Sequence, residues 1–191
     1  MTRRVWTAAA LVVMALAAAG CTPGEPEPEP TTSASQAVTP TPTADPAEAQ
    51  EEAAVAAATT ALTALMQAVD EFAQGGYVDL GPLSGLVGGD LRTTLPATYE
   101  QSKAKGARQT GSTVLEDITL VEFQPGPSGG GREQVILEAC ADSTGKDVVL
   151  PDGSSALDPS FPKRLTMTYT VQNNDGHWTV DAVEPDAARP C

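Results

Sequence analysis

The side chains of this sequence that could perform acid–base or nucleophilic chemistry are few. His177 is the only histidine, so any Ser-His or Cys-His mechanism would have to use it. It immediately precedes Trp178 at the start of an alternating apolar and polar run, on the side shared with Thr179 and Asp181. That pattern favours a solvated position near a hairpin over a catalytic one.

Two further patterns involve one long polar segment, residues 142–162. Ser143-Thr144-Gly145-Lys146 matches the Ser-x-x-Lys signature of penicillin-binding proteins and β-lactamases. The accompanying Ser-Asp-Asn and Lys-Thr-Gly boxes are absent from the sequence, so we interpret the match as chance. Asp142, Asp147, Asp152 and Asp158 are oxygen ligands of the kind Ca²⁺ prefers, but their spacing fits no EF-hand, and we predict an acidic, solvated loop without a metal or cofactor.

Of the three cysteines, Cys21 follows a typical export signal. Arg3 and Arg4 precede an apolar run, and Ala18-Ala19-Gly20 places small residues directly before the cysteine. This segment resembles the bacterial lipobox, with Ala18 where leucine is usual. The resemblance implies a signal peptide over residues 1–20 and diacylglycerol on the Cys21 thiol, with an additional acyl chain such as palmitate. An ordinary secretory peptide is the alternative.

The net charge of the chain limits the classes of molecule that it can bind. The 191 residues include 11 Lys plus Arg and 25 Asp plus Glu, a net charge of −14, and loss of the signal removes two arginines and leaves −16. Nucleic acid is excluded as a partner, because phosphate backbones are bound by clustered basic residues. An anionic membrane surface would also repel the chain, so we expect membrane attachment through the lipid at Cys21.

The composition of residues 21–46 predicts an extended stalk. They hold seven of the 16 prolines, in Glu-Pro and Thr-Pro repeats with almost no apolar residue. Such a segment cannot form a core, and in polyproline II conformation it would hold a domain up to about 80 Å from the bilayer.

Residues 47–191 are predicted to form one globular domain that begins with helices. Asp45-Pro46 followed by Glu48 is typical of a helix start, and Gly75-Gly76 follows the alanine-rich run that ends at Gln74. An apolar stripe with spacings of three and four indicates a face packed on a core. Its members are Val55, Ala58, Leu62, Leu65, Val69 and Phe72. A second helix is expected from Asp90 to Lys105, with an interruption or restart at Pro96.

From residue 112 onward the period changes to two. Four strands are predicted, with the last two joined through Asn173-Asn174-Asp175-Gly176 as a hairpin. The strands cover residues 113–123, 132–141, 163–172 and 177–183. Because each of the last two strands has one apolar and one polar side, we predict an α+β domain whose helices pack on a curved, mainly antiparallel sheet of about four strands.

The element order, the strand with Cys140 followed by Asp142, and the Asn-Asp-Gly-x-Trp-x-Val run at 174–180 resemble the cone-shaped nuclear-transport-factor-2-like superfamily. The resemblance is to its secreted and lipid-anchored members in high-GC Gram-positive bacteria. It implies a cavity between sheet and helices, because the cone fold often has one. Residues that would line it, or else fill the core, are Tyr99, Met167, Tyr169 and Trp178.

Cys140 and Cys191 form an even pair once Cys21 carries lipid. In an oxidising compartment we predict a disulfide bond between them. A reactive thiol is the alternative, but Cys140 lies between Ala139 and Ala141 in an apolar strand with no adjacent cation.

These features predict a non-enzymatic protein on the outer face of the cytoplasmic membrane. Its stalk would present the domain to an unidentified envelope protein or glycan. The alternative is a carrier of a small apolar ligand in the cone cavity. An acid–base enzyme is a third class, and it would need Tyr99 or His177 beside a carboxylate in that cavity. The sequence does not determine the oligomeric state.

Overall fold

A computed structural model describes residues 45–127 and 131–191. The predicted signal peptide, Cys21 and the stalk up to residue 44 lie outside these described residues. The elements, in chain order, are α1 (Pro46–Gln74), a short 3₁₀ helix (Gly81–Leu83), α2 (Gly89–Ala104), β1 (Arg108–Thr110), β2 (Val114–Gln124), β3 (Gln134–Asp142), β4 (Asp147–Val149), β5 (Arg164–Asn174) and β6 (His177–Asp186).

The predicted α+β class is confirmed. Four strands form an antiparallel sheet in the order β2-β3-β5-β6, on which the two helices pack. The strands β1 and β4, which the sequence analysis did not predict, pair as a separate two-stranded sheet. Each is only three residues long, too short to show a periodic pattern.

Helix α1 begins and ends where the sequence indicated. The Asp45 side chain accepts a hydrogen bond from the Ala47 amide at 2.9 Å, which satisfies a donor that the first turn leaves free. Ala58, Leu62 and Leu65 of the apolar stripe are buried against the sheet. By length and composition alone, α1 is the one helix among the described residues that could cross a bilayer, with a mean hydropathy of 1.3.

Helix α2 runs through Pro96 without interruption, contrary to the expected break. Proline has no amide hydrogen, so the carbonyl one turn earlier loses its usual donor while the remaining turns keep theirs. Tyr99, one turn beyond Pro96, is thereby carried to the sheet side and packs against the core.

The β5–β6 hairpin has the predicted turn. Asp175 and Gly176 have φ values of 54° and 91°, the left-handed pair that a two-residue type I′ turn requires. This turn fixes the register in which Asn173 opposes Trp178 and Tyr169 opposes Val183. The sheet therefore has one end at the hairpin and another where β6 approaches the C-terminus.

Candidate functional site

A partly enclosed cavity of about 370 Å³ lies between the helices and the sheet. Its apolar wall comes from α1, α2, β5 and β6, and consists of Leu65, Met66, Val69, Leu91, Leu95, Leu165, Met167 and Val183. The volume falls within the range of about 300–1,000 Å³ that is usual for ligand pockets. The cavity is the candidate functional site.

The side-chain periodicities of α1 and β5 explain why their apolar residues form the cavity wall. Residues four apart on α1, such as Leu65 and Val69, lie on the same helix face. Residues two apart on β5, namely Leu165, Met167 and Tyr169, point to the same side of the sheet. Both elements therefore direct apolar side chains toward the same space.

Of the four residues predicted for the lining, the structure places Tyr99, Met167 and Tyr169 there. Trp178 is not part of it and instead packs against the core, which was the alternative for this residue. It lies at the hairpin end of β6, half-buried against the core, whereas β6 reaches the cavity at Val183. Five residues of strand span about 16 Å, which separates the two positions.

His177 also lies at the hairpin end. Its Nε2 atom is 2.6 Å from the Gly85 carbonyl oxygen, and the residue is exposed. The structure therefore does not bring the histidine together with Tyr99 in the cavity.

A buried carboxylate, Asp70, forms part of the polar end of the cavity. Its Oδ1 atom accepts a hydrogen bond from Gln109 Nε2 at 2.6 Å, and its Oδ2 atom accepts one from the Thr113 amide at 3.2 Å. These donors replace the water that burial removes and make the carboxylate tolerable inside the domain.

Lys146 lies on the same part of the wall, positioned by a turn in which its amide donates to the Ser143 carbonyl at 3.1 Å. Burial lowers the pKa of its ammonium, and the charge of Asp70 opposes that shift. In residues 45–127 and 131–191, no carboxylate lies within 4.0 Å of this ammonium.

The two tyrosines of the lining are hydrogen-bond donors and not bases. Burial raises the pKa of Tyr169 to about 12, and burial together with the charges of Tyr77 and Asp70 raises the pKa of Tyr99 to about 12. Tyr169 is 2% exposed and forms part of the cavity wall.

The aspartates of the polar loop stabilise its turns. Asp142, Asp152 and Asp158 each accept a hydrogen bond from the amide two residues later, at 2.8–2.9 Å. Hydrogen bonds from Thr144, Ser154 and Ser160 respectively are the main reason that the pKa of each carboxyl is lowered. Turn formation thus accounts for the acidic composition of this segment.

The opposite, outer face of the sheet carries the cysteine pair. The sulfur atoms of Cys140 and Cys191 lie 2.03 Å apart, at disulfide distance, as predicted. Arg164 beside them forms ion pairs with Asp142 and Glu116, and Arg189 forms ion pairs with Glu138 and Asp186. These contacts hold the C-terminal residues against the sheet.

Sequence reasoning missed Asp70 and Lys146 as cavity residues. Asp70 carried a usable signal, because it lies four residues after Met66 and eight after Leu62 and therefore shares the core-facing side of α1. A charged residue in such a stripe indicates a buried polar site. Lys146 gave no signal beyond the discounted Ser-x-x-Lys match.

No family model matches the chain, and no curated protein matches it. Among solved structures it is similar to the intermembrane space region of the chloroplast protein ARC6, with 12% identity, a TM-score of 0.46, and coverage of 69% of this chain and 95% of that chain. A likeness at this level assigns no site.

Proposed function

We propose that this protein is a lipid-anchored envelope protein whose domain binds a small, largely apolar ligand. The observation that carries the proposal is the cavity of about 370 Å³ with its apolar wall. The side chains that could have filled it do not: Tyr169 forms part of the wall, and Trp178 lies elsewhere. The carrier alternative thus has more support than docking of an envelope protein or glycan.

A binding role fits the ionisable groups better than an acid–base reaction does. The phenols of Tyr99 and Tyr169, with pKa values of about 12, hold their protons at neutral pH and cannot act as bases. Asp70 already accepts hydrogen bonds on both oxygens. We therefore include no catalytic step in the proposal.

Location is part of the same proposal. Lipid on Cys21 would fix the chain to the outer face of the cytoplasmic membrane, and the proline-rich stalk would hold the cavity above it. The kinship with nuclear-transport-factor-2-like domains is likewise proposed, supported by two helices that pack on a four-stranded antiparallel sheet. Labelling cells with a fatty-acid analogue tests the anchor: wild type should be labelled and Cys21→Ala should not.

Native mass spectrometry tests the ligand. The protein is purified gently from its own host, and its native mass is compared with the mass of the denatured chain. A native mass higher by one small molecule supports the proposal, and solvent extraction then identifies the molecule. Met167→Trp, which places a larger side chain on the wall, is the matched variant and should give the bare mass. A bare mass for wild type as well would contradict ligand carriage.

A further inference from the structure

The polar end of the cavity specifies the ligand further. We propose that Lys146 binds the anionic head group of a single-chain amphiphile whose apolar chain occupies the cavity. This inference rests on the proposed function and adds the charge and the orientation of the ligand to it.

Lys146 differs from the arginines of the sheet. Arg164 and Arg189 each contact two carboxylates at the outer face. Lys146 has no acidic partner within 4.0 Å in the part of the chain that the structure describes, although it is half-buried beside apolar side chains. A desolvated cation without a partner is costly, and a bound anion removes that cost.

Asp70 does not take the place of that anion. Each of its oxygens accepts a hydrogen bond from a neutral donor, Gln109 Nε2 on one side and the Thr113 amide on the other. Its charge acts on Lys146 at a distance, where it favours the ammonium form. Asp70 thus opposes the effect of burial on Lys146 without lying within ion-pair distance of the ammonium in the described part of the chain.

The position of Lys146 sets the direction of the ligand. A second, smaller pocket of about 270 Å³ lies against the polar loop and shares five wall residues with the cavity: Ser143, Lys146, Phe161, Pro162 and Lys163. Phe161 is 58% exposed. The shared residues mark the boundary between the cavity and the loop surface, so a head group at Lys146 would leave the chain directed inward toward Met167.

Other groups at this boundary also favour an anion there. Lys163 contributes a second positive charge, although it also interacts with Asp147. The Ser143 and Thr113 hydroxyls, 3.3 Å apart on the same wall, can donate one hydrogen bond to each other and a second to an anion, whichever of the two is the donor between them. Asp158 in the outer pocket and Asp70 on the cavity wall both repel an anion, so the head group is favoured only in direct contact with Lys146 and Lys163 at the boundary.

General electrostatic attraction does not account for this preference. The chain has a net charge of −14, so its long-range field repels anions. Any selectivity for an anionic amphiphile must therefore come from the local cation, and substitution of Lys146 should remove it.

The test titrates three single-chain probes of equal length, decanoate, decanol and decyltrimethylammonium, into the mature chain. The protein comprises residues 21–191 with the Cys140–Cys191 bond formed and Cys21→Ser to prevent mispairing. Calorimetry should show that decanoate binds at least about tenfold more tightly than decanol, as expected for a hydrogen-bonded charge. Its advantage over decyltrimethylammonium should be larger still. Decyl phosphate in parallel distinguishes a phosphate head from a carboxylate head.

Variants of Lys146 distinguish the effect of its positive charge from the effect of its shape. Lys146→Met should remove the preference, measured as the ratio of decanoate affinity to decanol affinity, whereas Lys146→Arg should keep that ratio. Lys105→Met, at an exposed position outside the cavity, is the control. Equal wild-type affinity for decanoate and decanol overturns this inference and leaves ligand carriage standing, and this ratio needs no variant to fold. Absence of binding by every probe overturns both proposals.

Discussion

The two sides of the main sheet differ in whether their cationic side chains are paired with carboxylates. On the outer face, Arg164 and Arg189 each contact two carboxylates, next to the Cys140–Cys191 pair. On the helix side, Lys146 has no such partner in the described residues. The paired charges position the end of the chain, whereas the cation at the cavity wall is available to a ligand.

Strand alternation produces both faces from one sequence. On β5, the side chains of Leu165 and Met167 point toward the cavity. Arg164, the first residue of the strand, points to the outer face. The register of β3 and β5 pairs Asp142 with Arg164 and the neighbouring Ala141 with Leu165. The first pair forms an ion pair on the outer face of the sheet, and the second forms an apolar contact on the helix side. A slip of one residue would exchange the two faces.

The largest expected effect comes from filling the cavity. Met167→Trp adds bulk to the wall and should abolish binding of decanoate, because the chain and the indole compete for the same volume. Val121→Trp introduces the same side chain at an exposed position of β2 and should bind like wild type. Calorimetric titration measures both. Undiminished binding by a folded Met167→Trp protein would place the ligand elsewhere.

On the outer face, removing the disulfide should have the largest effect on stability. The bond joins residues 51 apart in sequence. In the chain-entropy model, closing a loop of that size lowers the free energy of the native state relative to the unfolded chain by about 4 kcal/mol. The double variant Cys140→Ser/Cys191→Ser should lose about that much in urea unfolding. Wild type treated with a reductant serves as the comparison, and an unchanged midpoint would contradict a structural bond.

The sequence predicts the frame of this molecule better than its site. The apolar stripe of α1, the alternation of β5 and the Asp175-Gly176 turn are local signals, and each corresponds to an element in the structure. The cavity depends on which residues of distant segments face each other. Asp70 and Gln109, 39 residues apart, meet only after folding, and no local pattern announces such a pair.

Substitution of Asp70 tests that long-range contact on the helix side. Asp70→Asn keeps the shape but replaces one acceptor oxygen with a donor, which faces Gln109 Nε2 or the Thr113 amide. A buried donor left without an acceptor costs about 1–3 kcal/mol of stability. Urea unfolding should show this loss, while Glu52→Gln, exposed on the same helix, should show almost none. Equal midpoints for the two variants would mean that Asp70 is not held as described.

Alkaline titration has the smallest expected effect, because it changes stability only at high pH. Tyr99 and Tyr169 have pKa values of about 12 in the folded protein, against an ordinary value of 10.0. The unfolded chain therefore releases these protons first as pH rises. The two groups contribute their full stabilisation below pH 10.0, and it is lost progressively as pH rises through about 12.

The measurement is the free energy of unfolding in urea at several pH values across that window, with phenolate absorbance followed in parallel. Wild type should lose stability with rising pH, and Tyr169→Phe, which keeps the ring without its hydroxyl, should lose less. The difference between the two proteins reports the Tyr169 group, because Tyr169→Phe removes only its hydroxyl at a buried position of the cavity wall. Equal slopes for the two proteins would show that the Tyr169 hydroxyl is as accessible to water in the folded state as in the unfolded chain.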